Sequence, residues 1–308
     1  MGGGEEPIYW PKDTRPDELL RRAISDEQRA SYEAESNAYL QDILADLNVR
    51  DTEKVNAHLE TIKDALSGEI SGSISLLQGG STKKHTHVDG LSDIDILAII
   101  DNSTLVNKSP SDVLEYFAER IRERLPNTPV TVGALAITLR FSDGYEIQVL
   151  PAITTQTGIR IATSDGVDWS NVIRPDKFAE KLTNVNRLNN NGVVPVIKLY
   201  KAINSQLPEE LRLSGYHIES LAINAFQNYS GSRSRKDMLL HFSQYASDAV
   251  LEPIRDDTGQ SIHVDDKLGD AGSLERKKVS ASIKRIVARM RLADSEASLA
   301  RWRELMGE

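Results

Sequence analysis

The 308-residue chain contains no cysteine. That excludes disulfides, thiolate-held zinc and a cysteine nucleophile, and leaves any metal to oxygen or histidine ligands. It also lacks a run near the roughly 20 apolar residues that cross a bilayer. The opening Met1-Gly-Gly-Gly-Glu-Glu-Pro7 lacks the charged and apolar regions of a signal peptide, so a cytoplasmic protein with no membrane partner is expected. Surplus positive charge is missing too: 37 Lys and Arg face 46 Asp and Glu, a formal net charge of -9, which gives no global attraction for a polyanion. The sequence shows neither an internal repeat nor a low-complexity tract.

What is present is ordinary for a globular protein: 39% hydrophobic and 27% charged residues, with enough length for one large domain or two lobes. Residues 1 to about 18, with prolines at 11 and 16, read as an extended lead-in. A long helix follows from Asp26 to about Leu47, with Tyr32, Tyr39, Ile43 and Leu47 on one face. A second is capped by Asp51 and carries Val55, Leu59, Ile62 and Leu66 to a close at Gly68. Strands are expected at 74–78, 94–100 and 130–141, with a helix at 111–125. Ser142-Asp143-Gly144 supplies turn chemistry for a hairpin ending at Pro151.

A polar stretch from about Thr154 to Asn191 separates this mixed sheet from a mainly helical half. Asn191-Gly192 punctuates the two, giving expected units at 1–190 and 191–308. In the second, Pro195 suits the first turn of a helix whose apolar face is Ile197, Tyr200, Ile203 and Leu207. Ser214 can cap the next, with Ile218, Leu221, Ala222, Ala225 and Phe226 inward. A last helix over 273–292 turns Val279, Ile283, Ile286, Val287 and Met290 inward and Lys277, Lys278, Lys284, Arg285 and Arg289 to solvent.

Chemistry concentrates between Leu77 and Ile100. Alternate residues of a strand share a face, so Asp93 and Asp95 point together while Ile94 and Ile96 enter the core. Two adjacent carboxylates repel unless a hard cation sits between them, and Mg2+ suits such oxygens while keeping room for water and phosphate. Two such ions can clamp the attacking and leaving oxygens of a phosphoryl displacement. Gly79-Gly80-Ser81, ending the preceding strand, lets backbone amides approach a phosphate and adds a hydroxyl. Gly-Gly-Ser alone is usually a turn, and Asp-Ile-Asp alone a strand with a solvated face. Their order, with eleven residues between Ser81 and Asp93, is what carries information. His85 and His87 lack the further ligands of a zinc site and read as loop or substrate-channel residues.

The arrangement resembles the polymerase-beta-like nucleotidyltransferases, and within them the bacterial cGAS/DncV-like nucleotidyltransferases (CD-NTases) of anti-phage signalling. The resemblance implies an α+β, two-lobed fold with a mixed-sheet catalytic lobe, a long N-terminal spine helix and a helical C-terminal lobe. It implies a Mg2+-dependent enzyme with two ions, Mn2+ able to substitute, that joins nucleoside triphosphates, ATP among them, into a cyclic di- or trinucleotide with release of pyrophosphate. By the same resemblance Gly80 and Ser81 bind phosphate, and Asp93 and Asp95 hold metal. Lys198 and Ser214 hold triphosphate, and Tyr216 stacks on a base, a role an aromatic face also suits on general grounds. Glu146-Ile-Gln-Val-Leu-Pro-Ala152 looks like the family's third motif. There the acid often stands three before the proline, where this chain has Gln148. Either Glu146, two residues earlier on the same strand face, completes the site, with Gln148 contacting base or ribose, or the site has only two acids. A monomer is expected, with regulatory partner proteins as in some relatives. The cysteines of the zinc-bearing DNA-binding insertion of animal cyclic GMP-AMP synthase are missing, so activation by DNA in that manner is not expected. Two other readings stay open: transfer of nucleotides to RNA or a small acceptor, and a catalytically silent nucleotide-binding protein.

Overall fold

The structure is a computed structural model that describes residues 16–308 apart from 50, 68–72, 79–80, 82–83, 89–93, 102–103, 164 and 256–263. Helix α1 (Pro16–Asp46) starts ten residues before the expected Asp26, with Pro16 in the first turn, where its missing amide costs nothing. The rest of the expected lead-in lies outside the described residues. The inward stripe of α1 is Tyr32, Ser36, Leu40 and Leu44, with Tyr39, Ile43 and Leu47 on its half-buried flank. The expected stripe was thus displaced, because Ser36 is polar and was not counted: its hydroxyl donates to the Tyr32 carbonyl at 2.7 Å and is satisfied within the helix.

Helix α2 (Thr52–Ser67) is capped as expected, the Asp51 carboxylate accepting from the amides of Glu53 and Lys54 at 3.0 and 3.1 Å. Strands β1 (Ser73–Gln78) and β2 (Ile94–Asp101) pair antiparallel, and helix α3 (Pro110–Arg124) follows, capped by Ser109. The expected strand over 130–141 is two strands, β3 (Val130–Val132) and β4 (Ile137–Arg140), paired antiparallel. Gly133 breaks it, its amide closing a tight turn onto the Ala136 carbonyl at 2.8 Å. The hairpin from β4 into β5 (Glu146–Thr154) turns through Gly144 at φ +91°, a conformation glycine adopts without strain. Strand β6 (Ile159–Ile161) adds to β5. The order is β1-β2-β5-β4-β3, mixed because β2 and β5 run parallel.

The stretch expected to be polar connection contains helix α4 (Pro175–Leu188), whose Phe178, Leu182 and Val185 form a buried face. Then come α5 (Val193–Ser205), α6 (Gly215–Phe226), α7 (Arg235–Ala249), α8 (Leu274–Ser295) and α9 (Leu299–Met306). The apolar faces expected of α5, α6 and α8 are buried, apart from Leu207, which is half-buried and lies beyond the end of α5, and the five cations expected to face solvent on α8 do so. Helix α5 is buried on nearly every side, as its Val-Val-Pro-Val-Ile start suggests.

The hydrophobic interior has two large cores and a small third cluster of Ile99, Ala152, Ile161 and Ile173. One core packs α2 and α3 on the sheet face carrying Ile94, Ile96, Ile137, Leu139, Ile147 and Val149; the other gathers the helices from α4 onward. Helix α1 joins the helical core, although it precedes residue 190, as does α4. The Tyr32 hydroxyl donates to the Ala293 carbonyl at 3.1 Å and accepts from the Trp302 indole at 2.9 Å. The Lys236 ammonium meets Glu33 at 2.6 Å and also Asp294. These contacts seat the long helix across α7, α8 and α9.

Candidate active site

The sheet's other face is only half covered, and its polar residues fall in rows. Asp95 on β2 pairs in register with Gln148 on β5, which pairs with Thr138 on β4. The next row holds Glu146 and Arg140, joined by an ion pair of 2.8 Å. On the other side of Asp95, Leu77, Leu97 and Leu150 run across three strands, Leu77 being 49% exposed. Alternation along each strand sends these side chains to the open face and the isoleucines to the core.

Gly80 and Asp93 lie outside the described residues, so the geometry of the Gly-Ser and Asp-x-Asp pairs is seen through Ser81 and Asp95 alone. Ser81 follows β1, and its carbonyl accepts from the Thr86 amide at 2.9 Å, closing a compact loop in which His85 adopts φ +57°. Thr86 and Val88 are fully buried.

The helical lobe contributes through α5 and α6. Ser214 caps α6, its hydroxyl accepting from the His217 amide at 3.2 Å. Tyr216, half-buried, packs its ring 4.7 Å from that of Phe178. The Lys84 ammonium stands over both rings, 5.0 Å from Phe178 and 5.6 Å from Tyr216.

The two lysines of α5 divide. Lys198 is buried and donates to the Asn48 side chain just after α1. Lys201, one turn on, stands at the start of α6, where a Cβ on Gly215 would lie 3.4 Å from its ammonium. It donates to the Thr86 carbonyl at 2.9 Å and to Glu219 at 3.0 Å. Burial pushes its ammonium below the usual lysine range against the pull of Glu219 and, more weakly, of Asp95. Among the lysines of α5, Lys201 is therefore the one seated between the loop that ends at Thr86, the α6 cap and the strand carrying Asp95.

Glu219 is 1% exposed and accepts from Lys84, Thr86 and Lys201 together. Burial alone would push its carboxyl up; Lys84 and Lys201 hold it below the ordinary carboxylate range. Lys84, Thr86, Phe178, Lys201 and Glu219 were not among the residues expected from sequence. One signal for Glu219 was available, an acid inside the apolar stripe of α6 between Ile218 and Leu221, where a charge persists only if paired.

As a metal site, the open face offers a carboxylate and an amide oxygen in adjacent register at Asp95 and Gln148, hard donors of the kind Mg2+ takes. Among the described residues no group of three or more His, Asp or Glu is placed to hold a metal.

The fold is a mixed sheet with an acid, Asp95, on its half-covered face and a helical lobe whose Lys201 lies within its electrostatic reach. Residues 35–186 match the family model of the Second Messenger Oligonucleotide or Dinucleotide Synthetase domain. No curated protein matches the chain. Among solved structures, CdnC of E. coli MS115-1 in complex with HORMA-deltaN is 16% identical with a TM-score of 0.65, over 89% of this chain and 96% of that one. The CD-NTase CdnG of Bradyrhizobium diazoefficiens in complex with GTP is 15% identical with a TM-score of 0.63, over 83% and 89%. DncV of Vibrio cholerae, a cyclic AMP-GMP synthase, is 10% identical with a TM-score of 0.61, over 96% and 91%. Residues 35–186 thus carry the domain of the second-messenger oligonucleotide and dinucleotide synthetases, and the chain has the mixed α+β, two-lobed fold of the cGAS/DncV-like nucleotidyltransferases.

Proposed function

We propose that the protein is a cyclic oligonucleotide synthase that joins nucleoside triphosphates into a cyclic di- or trinucleotide and releases pyrophosphate. The observation that carries this is the register of Asp95 with Gln148 on an open sheet face, opposite the Lys201 and Tyr216 of the helical lobe. In each round a ribose hydroxyl oxygen attacks the α-phosphorus of a triphosphate. A new P–O bond forms, the bond from that phosphorus to the bridging oxygen breaks, and pyrophosphate leaves with the electron pair.

Ser81 and Gly80 would receive the phosphates, with Lys201 as their countercharge. Lys201 is proposed in the role that the resemblance gives to Lys198, because its partners lie on the Ser81–Thr86 loop and α6 whereas Lys198 is held by Asn48. Ser214 orients the start of α6, and Tyr216 offers a ring for a base. Mg2+ would sit on Asp93 and Asp95. Bound there, it would offset the charge of the phosphates and of the leaving pyrophosphate. Glu146 is the carboxylate of β5 on the same strand face and is the proposed third acid, with the hydroxyl proton as its charge; Gln148 then faces base or ribose. ATP and GTP are the donors to try first, since related proteins have been solved with ATP and with GTP. A relative bound to a HORMA protein makes a regulatory partner part of the proposal, as is a role in cytoplasmic anti-phage signalling. No helix among the described residues is long and apolar enough to cross a membrane.

Asp93→Ala with Asp95→Ala should abolish pyrophosphate release from the four triphosphates in Mg2+; undiminished release would remove the site from this position. A silent nucleotide-binding protein is the second reading, favoured by Gln148 standing beside Asp95 while Glu146 is engaged by Arg140. Binding of ATP without pyrophosphate release from any mixture would establish it.

A further inference from the structure

We infer that Glu219 is a positioning residue that fixes the phosphate loop against the helical lobe and so sets the affinity for the triphosphate. The inference rests on the reading that this cleft takes a nucleoside triphosphate.

Glu219 lies on α6, remote in sequence from the loop it holds. One carboxylate oxygen accepts from the Thr86 hydroxyl and, at 3.0 Å, from Lys201; the other accepts from Lys84. The Lys201 ammonium returns to the same loop through the Thr86 carbonyl at 2.9 Å. Thr86 is thereby gripped at its hydroxyl and its carbonyl by the helical lobe. Its remaining backbone group, the amide, donates to the Ser81 carbonyl at 2.9 Å. A continuous chain of hydrogen bonds thus runs from α6 through Thr86 to the serine at the mouth of the phosphate loop.

The charges have the same logic. A carboxylate that is 1% exposed persists only if its oxygens are fully paired, and here two ammonium groups and a hydroxyl pair them. Two cations meet one buried anion, and Asp95 on β2 also draws on Lys201. The cluster keeps both ammonium groups assembled without a nucleotide and leaves positive charge to be met by phosphate. Without Glu219 the ammonium groups would repel and the loop would lose its anchor, so ordering it would fall to the incoming nucleotide and weaken binding.

Steady-state pyrophosphate release with ATP as the varied substrate tests this, alongside thermal melting. Glu219→Gln should raise KM for ATP about tenfold or more, the factor a hydrogen bond to a charged group commonly carries, with kcat within about threefold. Thr86→Val, nearly isosteric, should raise KM similarly, Thr86→Ser should restore it, and the Glu219→Gln, Thr86→Val pair should be no worse than Glu219→Gln alone. A wild-type KM in Thr86→Val overturns the inference even if Glu219→Gln fails to fold, and where Glu219→Gln folds an additive double variant overturns it too. Wild-type protein that neither binds ATP nor releases pyrophosphate overturns the nucleotide reading itself, whereas active wild type with indifferent variants overturns only the role of Glu219.

Discussion

Gln148 stands in parallel register with Asp95, one strand over on the same open face of the sheet. The third motif that β5 resembles would put its acid at the position of Gln148. Here the acid of β5 is displaced by two residues to Glu146, where Arg140 of β4 holds it at 2.8 Å. If Glu146 performs the third acid's work, Glu146→Gln should lower kcat about a hundredfold, within the range a positioned base contributes, and leave ATP binding within about threefold. Gln148→Asp placed in that background should recover part of the loss. Quench-flow measurement of pyrophosphate release compares them, and an unaffected Glu146→Gln enzyme would transfer the role elsewhere.

The two lysines of α5 should separate cleanly. Lys201→Met removes a cation seated at the loop and the α6 cap, so KM for ATP should rise at least tenfold. Lys198→Met breaks the tie to Asn48, and its effect should fall on thermal stability, about 1 kcal/mol, with KM nearly unchanged. Melting curves and saturation kinetics decide it, and the reverse pattern would return the phosphate role to Lys198.

His217, fully buried beside Tyr216, should make stability sensitive to mild acid. Burial pushes its imidazole down to about 4; Asp265, 3.5 Å away, pulls the other way, and Arg276 and Lys267 add to the depression. Between about pH 6.5 and 4 the unfolded chain takes a proton that the folded one refuses. Stability therefore falls as pH drops through that window and is insensitive to this group above it. The difference between wild type and His217→Gln in denaturant titrations should change by on the order of 2 kcal/mol from pH 7 to pH 4.5. Parallel curves would mean that the imidazole finds a partner when charged.

Arg276 and Asp265 form a fully buried pair at 2.7 Å, and the guanidinium also donates to the carbonyls of Val250, Glu252 and Gly269 at 2.9 to 3.2 Å. Arg276→Met strands Asp265 as a buried charge and should cost about 3 to 5 kcal/mol. Adding Asp265→Leu should return part of it. Chemical denaturation of the three variants checks this, and a single variant as stable as wild type would show that solvent reaches the pair.

The helices with regular apolar stripes were legible because a 3.6-residue period survives without tertiary knowledge: Val55 to Leu66, Val113 to Ile121 and Val279 to Met290 all face inward. Helix α4 was missed because Pro175, at its first turn, lies within a stretch rich in Asn, Thr and Lys that reads as connection. Strand register was hidden for a different reason. Which β5 residue sits beside Asp95 depends on pairing between Asp95 and Gln148, 53 positions apart, which no local period encodes. The cluster around Glu219 is likewise non-local, since a loop near residue 85 and helices near 200 and 219 meet only in the fold. Lys198 and Lys201 differ by less than one helical turn, and only the packing of α5 assigns one to Asn48 and the other to the cleft.

The most direct measurement is mass spectrometry of the product from ATP, GTP, CTP and UTP in Mg2+, after phosphatase treatment, for wild type and for Asp95→Ala. The account predicts a phosphatase-resistant cyclic di- or trinucleotide from wild type and none from the variant. Linear products alone, elongation of added RNA, or no consumption of any triphosphate would contradict it.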